Sequence, residues 1–277
     1  MSVRIFTDSS VDVSPASQAR LTRVPLTVFF GTEEFVDGVT ISHHQFYEKL
    51  VSSQTLPTTS QPTPASFEAA FEEATAAGDS VVVITISSKL SGTYQSACIA
   101  AADFDNVFVV DSLHATIGAG CLTEYALSLA DQGMDAKTIA DTLTEVRGKL
   151  RLFAVLDTLE YLKKGGRISG TVAFVGGMLS IKPIIAVADG VVGMVAKARG
   201  NKQGFATLMS EVEKSGGIDL DKPFMLGYTG NDPAPMHDFA ARASQLWESR
   251  EIPQTQLCSV IGTHVGPGAV AVAYFVK

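Results

Sequence analysis

The chain has 277 residues, of which 46% are hydrophobic and 18% charged, and its formal net charge at pH 7 is −8. This balance is typical of a soluble globular protein with room for two domains and argues against a disordered chain. The acidic charge also argues against non-specific nucleic-acid binding, which requires a basic face that displaces counterions.

Neither membrane insertion nor a metal site is predicted. The longest apolar stretch, residues 172–188, is interrupted by two glycines, a serine, a lysine and a proline, and is a poor membrane span. No secretory signal pattern follows Met1, so we expect a cytoplasmic protein. The three cysteines are far apart and form no CxxC pair, so we predict free thiols and no zinc site.

The N-terminal half alternates between strand and helix patterns. Apolar, β-branched runs predict strands over residues 3–7, 26–30, 81–85, 107–110 and 152–156. Helix signals predict helices that begin at Ser14, Ser42, Pro64 and Thr93 or cover residues 116–130 and 135–149. This alternation indicates βαβ units, a parallel sheet and a Rossmann-like N-terminal domain.

Polar residues follow three of these strands. Residues 8–10 (Asp-Ser-Ser), 87–88 (Ser-Ser) and 111–112 (Asp-Ser) come directly after apolar runs. Because ligands of parallel sheets bind beyond the carboxyl ends of the strands, these residues are expected to line one edge of a binding site.

The second half has a different pattern. Residues 184–188 and 191–195, joined by Asp189-Gly190, predict a β-hairpin. Further helices are predicted over residues 159–164, 203–214 and 234–250, and strands over residues 224–228, 257–261 and 269–275. The hairpin favours a mixed or antiparallel sheet. We therefore predict two α/β domains, residues 1–158 and 159–277, with a ligand between them.

The segment from the strand at residues 81–85 into the helix at Thr93 resembles an anion cradle. It passes through Ser87, Ser88, Ser91 and Gly92, where free backbone N–H groups and serine hydroxyls can donate to a carboxylate or phosphate. The alternative is that Ser91 only caps the helix.

Common catalytic and nucleotide-binding motifs are absent from the sequence. It contains no GxSxG, HExxH, GxxxxGK[ST] or GxGxxG, so no catalytic residue is assigned. His264 lies in a glycine-rich segment, residues 261–269, that is expected to be a loop between two strands. There it can face an anionic headgroup, although a histidine in a tight Gly-Pro turn is the plain alternative.

Seven segments together resemble the DegV family. They are TDSS (7–10), PTTSQP (57–62), ISSKLSGTYQSA (86–97), DS (111–112), LKKGGRI (162–168), IKPI (181–184) and the His264 segment. They occur in the family's order and extend over essentially the whole chain.

The resemblance implies a two-domain α/β lipid-binding protein that holds one long-chain fatty acid. Such proteins are the fatty-acid-binding subunits of bacterial fatty acid kinase, whose separate catalytic subunit uses ATP to convert the bound carboxylate to acyl phosphate. The resemblance therefore implies a fatty-acid ligand and a kinase partner, with no cofactor and no catalysis by this chain itself.

The same resemblance assigns residues to the headgroup. It implies that the carboxylate is bound by Thr58 or Thr59, by Ser91 with Gly92, and by His264. It places Arg167 beside the headgroup on the kinase-facing surface. It also suggests that Arg199 contacts the kinase subunit or the acyl phosphate.

An acyl-chain pocket is expected partly in residues 171–185, which are apolar and contain glycine. The candidates are Phe174, Met178, Leu179 and Ile184, and the alternative is that they form ordinary core.

Two other functions remain open at this level. One is a serine hydrolase or acyltransferase with Ser91 as nucleophile and His264 as base, where Asp8 or Asp111 would be the orienting carboxylate. The other is a binding module for a different small anion.

Overall fold

The computed structural model describes residues 2–168 and 180–277. Within these residues the chain forms thirteen strands and nine α-helices. The strands are β1 (Val3–Asp8), β2 (Leu21–Val24), β3 (Thr27–Phe30), β4 (Glu33–Val36), β5 (Thr58–Ser60), β6 (Ser80–Thr85), β7 (Val107–Asp111), β8 (Leu150–Val155), β9 (Ile181–Ala188), β10 (Val191–Arg199), β11 (Phe224–Tyr228), β12 (Gln254–Gln256) and β13 (Val270–Phe275).

The helices are α1 (His43–Ser52), α2 (Pro64–Ala76), α3 (Thr93–Ala101), α4 (Thr116–Asp131), α5 (Ala136–Val146), α6 (Glu160–Lys164), α7 (Gly200–Lys214), α8 (Ala234–Arg242) and α9 (Ser259–Val265). The predicted capping box is confirmed at α1, where Ser42 accepts from the Gln45 N–H and Gln45 accepts from the Ser42 N–H. No helix among the described residues is both long enough and apolar enough to cross a membrane.

A four-stranded parallel sheet forms the N-terminal domain, in the order β2-β1-β6-β7. Alternate residues of β6 face opposite layers: Val81 and Val83 pack with α2 and α3, whereas Val82 and Ile84 face a larger central core. The prediction of a parallel sheet with buried strands is confirmed.

A six-stranded mixed sheet forms the second layer, in the order β10-β9-β8-β13-β11-β12. The predicted hairpin is confirmed, because β9 and β10 pair antiparallel around Asp189 and Gly190, both with positive φ. Strand β8 was expected in the parallel sheet, but it pairs antiparallel with β9 and β13. The change of sheet therefore falls between Asp111 and Leu150, upstream of the boundary predicted at residue 159.

Helix α4 packs between the two sheets. It contacts β1 and β6 on one side and β8, β11 and β13 on the other. Residues 116–123 are all buried, which explains why this stretch is apolar or small on every face. The two domains thus share one core around α4, and the architecture is the predicted two-domain α/β class.

Two other predictions are wrong. The helix expected from Ser14 is replaced by turns and a 3₁₀ helix (Gln18–Arg20), because Glu124 accepts from the Ser14 N–H at 2.9 Å and from the Ser17 hydroxyl at 2.5 Å. The strand expected over residues 257–261 is largely the helix α9. Its residues 259–263 (Ser-Val-Ile-Gly-Thr) are buried on every side, so no exposed polar face gives the sequence a helical periodicity.

Candidate functional site

An apolar cavity lies between the inner face of the six-stranded sheet and helix α9. Its free space is about 810 Å³ when the open solvent at its mouth is counted. Strands β8, β9, β10 and β13 form one wall, and α9, the residues after β6 and the start of α4 form the other. The cavity thus lies between the two domains.

Strand alternation decides which residues form the cavity floor. Leu152 and Ala154 of β8 face the cavity, whereas Phe153 and Val155 pack on the opposite face of the sheet. The same alternation applies to β9. Ile184, a predicted pocket residue, packs in the opposite core, and its neighbour Ile185 lines the cavity.

Thr59 and His264 meet at the polar end of the cavity. The Thr59 Oγ1 and His264 Nε2 atoms are 2.9 Å apart, although the two residues are 205 positions apart in the chain. Strand β5 turns Thr59 inward and leaves Thr58 exposed. His264 is on the last turn of α9, so the loop predicted around it is wrong.

Ser91 also lines the cavity, next in the chain to Leu90, whose carbonyl accepts from Arg167. Its hydroxyl is 2.8 Å from the Thr93 hydroxyl and accepts from the Thr93 N–H at 3.3 Å, so it also caps the start of α3. Gly92 does not line the cavity. A β-carbon there would overlap the Gln61 side chain, so Gly92 allows the PTTSQP segment to pack against α3.

Arg167 joins the segments around the polar end. Its Nη1 donates to the Gly165 carbonyl at 2.6 Å and its Nε donates to the Leu90 carbonyl at 3.3 Å. The side chain lines the cavity and brings positive charge beside Ser91 and His264. It is therefore placed to attract an anion.

The His264 ring is tightly enclosed. A β-carbon on Gly165 would overlap its Nδ1 atom, and this nitrogen has no hydrogen-bond partner among the described residues. Burial, with a further contribution from Arg167, lowers the pKa of His264 to about 4. The imidazole is thus neutral at physiological pH and can donate one N–H.

A second, more polar compartment opens outside His264, and we call it the vestibule. Its volume, including open space, is about 850 Å³, and it shares Thr59, Arg167 and His264 with the apolar cavity. Thr58 and Lys164 line only the vestibule. A ligand headgroup at the boundary would therefore be reachable from outside.

The carboxylates after the parallel strands organise loops. Asp8 accepts from the Ile86 N–H at 2.8 Å, and Asp111 accepts from the Ser88 N–H at 3.1 Å. The predicted alignment of the three strand ends is thus correct. However, Asp8 and Asp111 do not line the cavity, and Ser91 and His264 are not hydrogen-bonded to each other.

The remaining predicted residues lie elsewhere. Arg199 is exposed at the end of β10, before α7, and lines neither compartment. Phe174, Met178 and Leu179 lie outside the described residues. In residues 2–168 and 180–277, no group of three or more His, Cys, Asp or Glu side chains is placed to hold a metal ion.

Sequence reasoning missed the small side chains of the cavity floor, Ala154 and Ala271. They face each other across the β8–β13 pair, and each is at most 4% exposed. The available sequence signal was a small residue between larger apolar residues in each of two strands. It does not distinguish a cavity from close packing without knowledge of which strands pair.

The buried side chain of His114 should make the free energy of unfolding depend on pH. It is 5% exposed, and burial lowers its pKa to about 4 from an ordinary value near 6.5. The unfolded chain takes up a proton near pH 6.5 and the folded chain only near pH 4, so its contribution to stability is present above pH 6.5 and is lost as the pH falls. We expect His114→Asn to remove about 2 kcal/mol of the destabilisation between pH 7 and pH 5.

Urea unfolding of the wild type and the His114→Asn variant at both pH values measures this difference. His237→Asn, at an exposed position of α8, is the control and should keep the wild-type pH dependence. An identical pH dependence in the wild type and the His114 variant would contradict the prediction.

Comparison with known proteins identifies relatives over the full length of the chain. The model of the DegV family, described as a family of uncharacterised proteins, matches residues 2–277. A DegV domain-containing protein of Deinococcus radiodurans is 36% identical over 282 aligned residues, which cover 99% of this chain and 98% of the relative.

Solved structures agree with this result. A DegV family protein from Thermus thermophilus, described as binding fatty acid, is 29% identical with a TM-score of 0.86, and 100% of both chains is covered. The fatty acid kinase B3 protein of Streptococcus pneumoniae, loaded with linoleic acid, has the same fold: TM-score 0.88, 24% identity, and 100% of both chains covered. The resemblance seen in the sequence motifs is thus confirmed, and the chain belongs to the DegV family.

Proposed function

We propose that this protein binds one long-chain fatty acid, with the acyl chain in the apolar cavity and the carboxylate at its polar end. The observation that carries the proposal is a cavity whose lining is apolar except at a few side chains, among them Ser91 and the Thr59–His264 pair, whose Oγ1 and Nε2 atoms are 2.9 Å apart. The fatty-acid binding of the Thermus thermophilus relative supports the same ligand class.

Burial of the acyl chain supplies most of the affinity. A chain of roughly fifteen methylenes gains on the order of 10 kcal/mol from full burial, at about 0.8 kcal/mol per methylene. Ordering of the chain and loss of free motion oppose this gain, and a preformed cavity reduces the cost.

The headgroup contacts supply orientation. A carboxylate that leaves water needs hydrogen bonds. The Ser91 hydroxyl is one donor, and the Thr59 hydroxyl is a second when the single N–H of neutral His264 is on Nε2 and donates to Thr59. Thr59 is favoured over Thr58 because Thr59 lines both compartments. Arg167 adds the positive charge that neutral His264 lacks.

We infer further that the protein is a cytoplasmic carrier that presents its ligand to a separate, ATP-dependent kinase subunit. The vestibule leaves the carboxylate accessible from outside, and the fold is that of a fatty acid kinase B3 protein. His264 Nε2 contacts Thr59, so Ser91 lacks the adjacent base that a serine nucleophile needs. In this role the chain needs no cofactor and catalyses no reaction alone, and Arg199 belongs to the surface that meets the kinase.

Identification of the lipid that copurifies with the protein tests the ligand class. Native mass spectrometry followed by lipid extraction is expected to show about one fatty acid per chain. Delipidated protein that takes up no fatty acid would overturn the proposal. Displacement of bound fatty acid by a small phosphorylated sugar would favour the other anion-binding function.

Removal of a headgroup donor is expected to impair phosphorylation more than binding. Ser91→Ala and His264→Ala should each lower the rate of acyl-phosphate formation with the kinase subunit by about tenfold or more. A hydrogen bond to a charged group contributes about 1.5–3 kcal/mol, and chain burial still retains the ligand. Coupled kinase assays and fatty-acid titrations measure the two effects separately.

Ser60→Ala and His237→Ala are matched controls, since both side chains are exposed and lie outside the two compartments. Wild-type phosphorylation by both headgroup variants would contradict the assignment of these donors. A burst of nitrophenol from a nitrophenyl ester, lost in Ser91→Ala, would instead favour the hydrolase function.

A further inference from the structure

The position of His264 depends on a short, enclosed helix. Helix α9 has seven residues, and those from Ser259 to Thr263 are all buried. An α-helix rises 1.5 Å per residue with little freedom to stretch, so a shift at the start of α9 is transmitted to His264 near its end. Whatever holds the first turn therefore also sets the separation between His264 and Thr59.

Two buried carboxylates hold this first turn. Asp12 Oδ1 accepts from the Cys258 N–H at 3.1 Å, and Asp37 Oδ1 accepts from the Ser259 N–H at 3.2 Å. Asp12 is 4% exposed and Asp37 is 3% exposed. The first N–H groups of a helix have no partner within it and carry partial positive charge, which carboxylates satisfy well.

These two contacts replace an ordinary local cap. The N-cap residue Cys258 makes no side-chain capping bond, so the partners come from positions 246 and 222 residues away in the chain. Asp12 follows β1 and Asp37 follows β4. The start of α9 is therefore fixed to the N-terminal domain.

Asp12 also contacts the cavity wall. Its Oδ2 accepts from the Thr116 hydroxyl at 2.6 Å. Thr116 is the first residue of α4 and lines the cavity. Its backbone φ is positive, at 46°. A β-branched residue rarely adopts such a backbone conformation. One carboxylate thus fixes both the start of α4 and the start of α9, on two sides of the cavity.

The charges around this pair are mostly buried as well. Burial raises the pKa of Asp12 to about 7, while the Thr116 hydrogen bond and the charge of Arg23 act in the opposite direction. The negative charge of Asp37 raises the pKa of Asp12 further, and it also raises the pKa of buried Asp8. Asp37 Oδ2 is buried without a hydrogen-bond partner among the described residues, so this carboxylate is held at a desolvation cost. Loss of either carboxylate leaves the N–H of Cys258 or Ser259 without its acceptor, which should disturb the start of α9.

We propose that Asp12 and Asp37 are positioning residues that fix the start of α9 and thereby hold His264 against Thr59 at the cavity mouth. The role in ligand presentation rests on the proposed function. The geometric claim does not, so it is tested on the unliganded protein without fatty acid or kinase.

The test is the titration of the His264 ring, followed by NMR on the full chain and assigned with His264→Ala. Wild-type His264 is expected to titrate near pH 4, because burial and the charge of Arg167 both lower its pKa. In Asp12→Ala and Asp37→Ala its midpoint should rise by about one pH unit or more towards 6.5, because a displaced ring regains water. His114 should keep its own midpoint in the Asp37→Ala spectra, because Asp37 is bonded to Ser259 and not to the start of α4.

The conservative variants distinguish a specific effect on the position of α9 from a general destabilisation of the fold. Asp12→Asn and Asp37→Asn keep an acceptor for the helix N–H groups, so His264 should shift by less than half of the alanine effect, yet measurably. Glu124→Ala is the matched control, since Glu124 also accepts a backbone N–H and a hydroxyl, but in the segment from Ser14 to Ser17.

If the alanine variants do not fold, the asparagine variants provide the test. Folded variants of Asp12 and Asp37 with the wild-type His264 midpoint would overturn the proposal. A shift of similar size in Glu124→Ala would overturn it equally, because the effect would then not be specific to α9. Failure of the wild type to bind fatty acid would concern only the proposed function.

Discussion

Replacing Ala154 by phenylalanine is expected to reduce fatty-acid affinity by about 100-fold or more. Ala154 lies in the middle of the cavity floor, paired with Ile185 on one side and Ala271 on the other. A phenyl ring there would occupy the space of several methylenes. Exclusion of three or four methylenes, at about 0.8 kcal/mol each, corresponds to roughly that loss of affinity.

Displacement of a fluorescent fatty acid, or calorimetric titration, measures this effect. Ala154→Val should give an intermediate loss that is larger for longer acyl chains. Ala241→Phe, on the exposed face of α8, is the control and should bind normally. Full affinity in a folded Ala154→Phe protein would show that the acyl chain lies elsewhere.

A single methyl group on Gly120 is expected to destabilise the fold by about 3 kcal/mol or more. Gly120 lies in the buried part of α4, where a β-carbon would overlap the backbone carbonyl oxygen of Asp12. Backbone atoms cannot rotate away as a side chain can, and close-packed interiors absorb such overlaps poorly. Gly120→Ala should therefore separate α4 from the segment after β1.

Urea unfolding monitored by circular dichroism measures the loss. Gly148→Ala is the matched control, because a β-carbon there meets nothing within 4 Å and its φ is not positive. Its free energy of unfolding should stay within about 1 kcal/mol of the wild-type value or rise slightly. Equal stability of the two variants would contradict the tight approach of α4 to Asp12.

The two results address different parts of the same site. The first tests whether the space between the sheets holds the acyl chain. The second tests whether the segment that carries Asp12 is held rigidly against α4, which the proposed positioning of His264 requires. A protein that passes the first test and fails the second would still be a fatty-acid binder, but one whose headgroup residues are placed differently.

Local patterns determined much of the fold. The capping box at Ser42, the proline that begins α2 and the Asp-Gly turn of the β9–β10 hairpin each depend on neighbouring residues alone. The apolar, β-branched run of the buried strand β6 is likewise a local pattern. The family motifs likewise occupy short segments, so the DegV relationship was legible in the sequence.

Tertiary contacts decided what these patterns left open. Residues 259–263 of α9 are buried on every side, so the helix has no exposed polar face, and this removes the periodicity that would have distinguished a helix from a strand. Strand β8 is not part of the parallel sheet, since it pairs with β9 and β13, which come later in the chain. Pairing over such distances has no local signal.

In the candidate site, too, local sequence and tertiary structure decide different features. The sequence alone indicated the residue types of the proposed carboxylate site, with Thr59, Ser91 and His264 each inside a family motif. Only the tertiary structure brought Thr59 to 2.9 Å from His264, turned Ile185 rather than Ile184 into the cavity, and linked Asp12 to the start of α9. Local patterns specify which groups a segment carries, whereas the packing of segments distant in sequence decides which of those groups face one another.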